Sequence, residues 1–166
     1  TSIAENISSS SDVVTMSATD PNSNTLTYSI TSGNDDEKFT INSLTGAIKT
    51  ASTFDFESKT SYALVIAVSD GSLTTSINKT ISVTNINEAP TIASTSTVSL
   101  AESVSSGTAV STIQGSDVDA STTLTYSITG GNGAGKFTIN SSTGAITTAA
   151  GLDYETTTSY TLTISV

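Results

Sequence analysis

The 166 residues carry five lysines, no arginine or histidine and fifteen acids, for a net charge of -10. That balance repels phosphate backbones and offers no basic stripe to overcome the repulsion, which excludes nucleic acid as a partner. Without cysteine there are neither disulfides nor thiolate metal sites, and no apolar run approaches the roughly 18–20 residues that span a bilayer. The chain opens at Thr1 with no signal segment and reads as a piece of something longer.

In chain order the pattern is that of strands. Leu26, Tyr28 and Ile30 alternate with polar residues, as do Phe39 and Ile41. Tyr62, Leu64, Ile66 and Val68 form a longer period-2 run, Ile77, Ile81 and Val83 mark another strand, and Tyr160, Leu162, Ile164 and Val166 echo the long run. Such alternation sends one set of side chains to a core and the other to water. Gly33, Gly46 and Gly71 punctuate turns. No apolar stripe of helical period appears, so the chain is read as all-β, with about seven strands per complete copy.

The copies are explicit. Residues 26–50 and 124–148 share 19 of 25 positions at an offset of 98. A period near 100 residues means whole domains in tandem, not a solenoid. Pro90 cannot donate a ladder hydrogen bond and marks a linker, which divides the chain into domains 1–88 and 89–166. Twelve residues separate Pro90 from Glu102 but only four precede Glu5, so the first copy is expected to lack most of its opening strand. The second stops at the counterpart of Val68 and is expected to lack its last strand, leaving unpaired edges.

Eleven of the fifteen acids fall at matching places in loops and strand ends: Glu5, Asp20, Asp55, Glu57, Asp70 and Glu88, then Glu102, Asp117, Asp119, Asp153 and Glu155. Carboxylates gathered this way raise one another's pKa unless a cation is present. Calcium accepts six to eight oxygen ligands in irregular geometry, whereas zinc and copper are poorly served where His and Cys are absent. The plainer alternative, that these acids only shape turns, stays open at this point.

The same residues carry a family resemblance over essentially the whole chain. Ala4-Glu5-Asn6, Ala18-Thr19-Asp20-Pro21-Asn22, Phe54-Asp55-Phe56-Glu57, Ala67-Val68-Ser69-Asp70-Gly71 and Asn85-Ile86-Asn87-Glu88-Ala89-Pro90 follow one another in order, and most recur in the second copy. The series resembles tandem cadherin repeats of bacterial surface or secreted type. That resemblance implies two Greek-key β-sandwiches of cadherin/immunoglobulin-like kind, in an extracellular or cell-surface adhesive or spacer protein with calcium at its junctions. It implies a central ligand set of Glu5, Asp55 and Glu57 from the first repeat, Asn85, Asn87 and Glu88 from the linker, and Asp117 and Asp119 from the second. Asp20, Asn22 and Asp70 would serve a preceding junction, and Glu102, Asp153 and Glu155 a following one. Asn85 in place of Asp, and a linker one residue short, imply fewer ions than the family's usual complement.

The partners implied are neighbouring repeats of the same protein, with homophilic, glycan or cell-surface partners beyond them. Other chemistries were weighed. Gly130 to Lys136 matches the start of a phosphate-binding loop, but Phe137 follows where Ser or Thr is needed and no helix is expected. The pairs Asp55/Glu57 and Asp153/Glu155 could serve glycoside hydrolysis, yet a catalytic pair is seldom duplicated in tandem modules. No serine triad is available without histidine, so no enzyme is expected. A carbohydrate-binding module is the alternative, and it needs exposed aromatics, whereas Tyr28, Tyr62, Tyr126 and Tyr160 fall in step with core positions. Three glycosylation sequons, at Asn6, Asn78 and Asn140, are ascribed to chance in a Ser/Thr-rich chain.

Overall fold

The structure, a computed structural model, describes residues 1–93 and 97–166. The chain forms two compact units, Thr1–Asn87 and Glu88–Val166. All regular elements among the described residues are strands.

The first unit contains β1 (Ser2–Ala4), β2 (Asp12–Thr15), β3 (Thr27–Ser32), β4 (Phe39–Ile41), β5 (Ala47–Thr50), β6 (Ser61–Ser69) and β7 (Thr74–Thr84). One sheet runs β1-β7-β6-β3 and the other β2-β5-β4. The chain therefore crosses between sheets repeatedly, and only β4–β5 and β6–β7 are hairpins. The strand β1 lies parallel to the end of β7, with Ile3 beside Val83.

Alternation explains which faces meet. Tyr62, Leu64 and Ile66 of β6 point inward with Ile81 and Val83 of β7, and they close on Ile48 and Phe39 of the opposite sheet. Burying each such aliphatic side chain stabilises the fold by about 1.5–3 kcal/mol. Phe39, Phe54 and Tyr62 form an aromatic trio with ring centroids 5.2–5.6 Å apart. The two edge-to-face pairs, Phe39–Tyr62 and Phe54–Tyr62, each add about 0.5–1.5 kcal/mol beyond area. Ile77 departs from the sequence reading. It shares the inward parity of Ile81 and Val83 but is 57% exposed, although its cross-strand partner Ile66 is fully buried.

The second unit contains β8 (Thr91–Ile92), β9 (Ala109–Thr112), β10 (Gly115–Ser116), β11 (Ser127–Gly130), β12 (Phe137–Ile139), β13 (Ala145–Thr148) and β14 (Thr163–Ser165). Its sheets are β12-β13-β9, β10-β8 and β11-β14. Tyr126, Phe137 and Ile146 are buried, and Phe137 meets Tyr160 edge-on at 5.2 Å. The run around Tyr160, expected to match the nine residues of β6, is regular only over the three residues of β14.

Local devices repeat with the sequence. The Asn34 amide both donates to and accepts from the Phe39 backbone, and Asn132 does the same for Phe137. Thr50 and Thr148 are buried, each hydroxyl satisfied by the neighbouring loop backbone. Gly33 has φ +80° and Gly131 +77°. A Cβ on either would run into a backbone carbonyl, of Ala63 or Thr161, so both the dihedral and the close approach require glycine.

Candidate functional site

The acid at each repeat's first motif is placed by its own backbone duties. In the first unit, Glu5 follows β1 and its N–H donates to the carbonyl of Thr84. Its side chain is 7% exposed, with one oxygen accepting the N–H of Phe56 at 2.8 Å and the other the N–H of Ile86 at 2.7 Å. Those two donors belong to the Phe54–Glu57 motif and to the stretch leaving β7, so one carboxylate gathers both. Asn85 and Asn87 flank Ile86 and are exposed.

Asp55 opens a tight turn in which Ser58 donates both its N–H, at 2.9 Å, and its hydroxyl, at 2.8 Å. These donors hold the Asp55 carboxyl below the usual aspartate value. Massed acids were expected to push carboxyl pKa values upward. At Asp55 the Ser58 hydroxyl and N–H outweigh the raising effect of desolvation, so the group stays ionised. Glu5, Asp55 and Glu57 each offer a carboxylate oxygen, all within 4.8 Å of one another.

The second unit repeats the arrangement in a more open form. Glu102 accepts the N–H of Tyr154 at 2.9 Å, and Asp153 is lowered first by the Thr156 hydroxyl and then by its N–H. Glu102, Asp153 and Glu155 again present oxygens within 4.8 Å, and all three are exposed. At the other motif, Asp119 is buried; its N–H donates to Asp117 and its carboxylate accepts the N–H of Glu88. Glu88, placed with the first repeat by sequence, thus falls in the second unit.

Asp20 accepts the N–H groups of Asn22 and Asn24, and Asp70 those of Ser72 and Leu73. The Leu73 and Ser72 donors keep the Asp70 carboxyl below its ordinary value, with a smaller contribution from the Asn24 side chain. Asn24 was not singled out from sequence. It ties Asp20 to Asp70, and its signal was the third polar residue of the Asp20-Pro21-Asn22-Ser23-Asn24 loop. Asp20, Asp55, Asp70, Asp117 and Asp153 all cap turns, so the plainer alternative is right about what they do locally. Capping occupies some lone pairs and leaves others for a ligand.

The chemistry of these clusters fits calcium. Calcium–oxygen distances of about 2.3–2.6 Å put ligand oxygens at most about 5 Å apart across the ion, and both triads lie inside that span. Every donor is an oxygen, and the lysine following the first triad, Lys59, is engaged with Asp36 at 2.6 Å instead.

The decoys are absorbed by structure. Lys136 of the glycine-rich loop donates to the Gly151 carbonyl, and Asn132 is spent on Phe137. Tyr28, Tyr62 and Tyr126 are buried, and Tyr154 is the exposed aromatic at 63%. No helix among the described residues is long and apolar enough to cross a membrane.

Comparisons with known proteins agree with this fold. The Cadherin domain family matches residues 1–84 and 96–166. Human Protocadherin Fat 4 is 37% identical over 161 residues, covering 92% of this chain and 3% of that protein. Human Protocadherin-23 is 32% identical over 173 residues, covering 99% of the chain and 5% of that protein. The chain therefore spans only a small fraction of these relatives' length. The crystal structure of human Protocadherin-24 EC1-2 superposes with a TM-score of 0.81 at 24% identity, over 99% of this chain and 80% of that one. Mouse Cadherin-23 EC22-24 does so at 0.70 and 26%, over 93% and 53%. These relatives are animal proteins and lend no support to a bacterial type. With both halves matched by one domain family, the chain belongs to the cadherin family, whose proteins act in adhesion outside the cell or at its surface.

Proposed function

We propose that this chain is a calcium-binding repeat segment of a large extracellular adhesive or spacer protein, with calcium stiffening the junction between successive repeats. The observation that carries the reading is the convergence of Glu5, Asp55 and Glu57 within 4.8 Å, repeated by Glu102, Asp153 and Glu155. Solubilising charge would have no reason to gather twice at equivalent turns.

The central ligand set is Glu5, Asp55, Glu57, Asn85, Asn87, Glu88, Asp117 and Asp119. Asp20, Asn22 and Asp70 serve a junction with a preceding repeat, and Glu102, Asp153 and Glu155 one with a following repeat. The ion, when bound, supplies positive charge that cancels carboxylate repulsion. The protein's part is to hold the acids ionised and close, which Ser58 and Thr156 do for Asp55 and Asp153. Affinity is expected near 10⁻⁴–10⁻³ M, roughly that of extracellular modules. The partners are neighbouring repeats, with homophilic or glycan contacts made by the longer protein, and no catalytic role is assigned. A sugar-binding module has little behind it, since three tyrosines lie in the cores.

The test is calorimetric titration with calcium after chelator treatment, paired with small-angle scattering. Binding that extends the particle is expected in the wild type, and Glu57→Ala should lose the extension while both units stay folded. An unaltered calcium response in Glu57→Ala would overturn the assignment.

A further inference from the structure

Two lysines lie beside the first acidic triad, and both are tied elsewhere. Lys38 donates to the Ser52 hydroxyl and the Thr53 carbonyl. The second unit has a like device, Lys136 on the carbonyl of Gly151. Lys59 has no such counterpart. Its backbone N–H closes the Asp55 turn on the Asp55 carbonyl at 3.0 Å, and Thr157 takes the matching place on Asp153.

Lys59 therefore starts from the turn that carries two of the three acids, with a compact charge on a flexible four-carbon stem. An ammonium so placed is the obvious internal counter-ion for the triad. Instead its Nζ lies 2.6 Å from an Asp36 carboxylate oxygen and 4.4 Å from the Tyr62 ring centroid. Asp36 belongs to the loop between β3 and β4. Tyr62 is buried, and its ring is wedged against Phe39 and Phe54, so the cation rests on a fixed aromatic face. The second unit has Ala134 at the place of Asp36 and Thr157 at the place of Lys59. The cation and its anchor are thus present together in one copy and absent together in the other.

We propose that Asp36 is a positioning residue for the calcium site: by holding Lys59 against Tyr62, it keeps the ammonium from neutralising Glu5, Asp55 and Glu57 and leaves their charge for the ion. The inference rests on the calcium reading proposed above. The second triad needs no such tether, because its turn carries no lysine. Both members of the Asp36–Lys59 pair are half-exposed, so water screens them and the bias on affinity is a few-fold.

Calcium is titrated into the chelator-treated chain while NMR follows the Phe56 and Ser58 amides, which donate to Glu5 and Asp55. The Tyr154 and Thr156 amides report the second triad in the same sample. Asp36→Asn is expected to weaken binding at the first triad by about two- to fivefold and to leave the second unchanged. Adding Lys59→Gln to it should restore the wild-type affinity. Asp35→Asn removes an equal charge from the same loop but keeps the Asp36–Lys59 pair, and it should do less; an equal loss would reduce the effect to long-range charge and overturn the proposal. A second readout needs no calcium. Zero-length carbodiimide cross-linking, mapped by mass spectrometry, should join Lys59 to Asp36 in the wild type and to Asp55 or Glu57 in Asp36→Asn. Absence of those new links would equally overturn it. Wild-type amides that ignore calcium would sink the calcium reading and this inference with it, whereas a response that Asp36→Asn leaves unaltered defeats only the role given to Asp36.

Discussion

The two acidic triads are built from the same motifs, yet Glu5 is nearly buried between two backbone donors while Glu102 is exposed and holds one. In the first unit the eleven-residue β7 delivers Ile86 to Glu5 and flanks the full length of β6. In the second unit Glu102 is held by the N–H of Tyr154. A carboxylate is rigid to the extent that its donors are, so in this structure Glu5 is the more firmly held of the two.

The largest expected effect tests what the units share. Gly33→Ala and Gly131→Ala each force a side chain at positive φ into a carbonyl, and each should cost about 2–4 kcal/mol. Urea unfolding would show it, and similar losses in both would confirm that the framework is common while the triads diverge.

Next comes the divergence. Glu5→Ala strips a near-buried acceptor from the Phe56 and Ile86 N–H groups and should cost about 2–3 kcal/mol in calcium-free buffer. Glu102→Ala, at an exposed site, should barely move the same transition. Equal losses would break the comparison.

Phe54→Leu makes the first unit imitate the second, where Leu152 occupies the matching position. It removes one edge-to-face contact, with Tyr62, and one tilted ring contact, with Phe39, and should cost about 1 kcal/mol, read from the same denaturation curves.

The smallest effect is electrostatic. Asp55 and Asp153 both lie below 3.8, each through one hydroxyl and backbone donors. A depressed folded-state pKa contributes stability that is present above the unfolded value and lost as pH falls through the folded one. Acid loss is thus expected only below about pH 4. Ser58→Ala and Thr156→Ala should raise the respective Asp midpoints by similar amounts in a carboxyl-carbon NMR titration. Unequal shifts would show that the two turns differ as the two glutamates do.

Much of this could be read along the chain. Alternation marks Tyr62, Leu64 and Ile66 as core because a strand's side-chain period is 2 whatever lies around it. The duplication announced two domains, and paired acids at equivalent turns announced two clusters. Ile77 misled because parity states which face a side chain takes but not whether anything covers it there. Asn24 escaped notice because its bond to Asp70 joins residues far apart in sequence.

Residue types and their order were enough to establish an all-β tandem repeat with paired acidic motifs, since those properties follow from local periodicity and from the duplication. Burial of Glu5, the downward shift of Asp55 and the link from Asn24 to Asp70 came from folding. Each depends on which groups arrive at a given atom, and strand pairing, unlike side-chain period, is a relation between segments that no single segment contains.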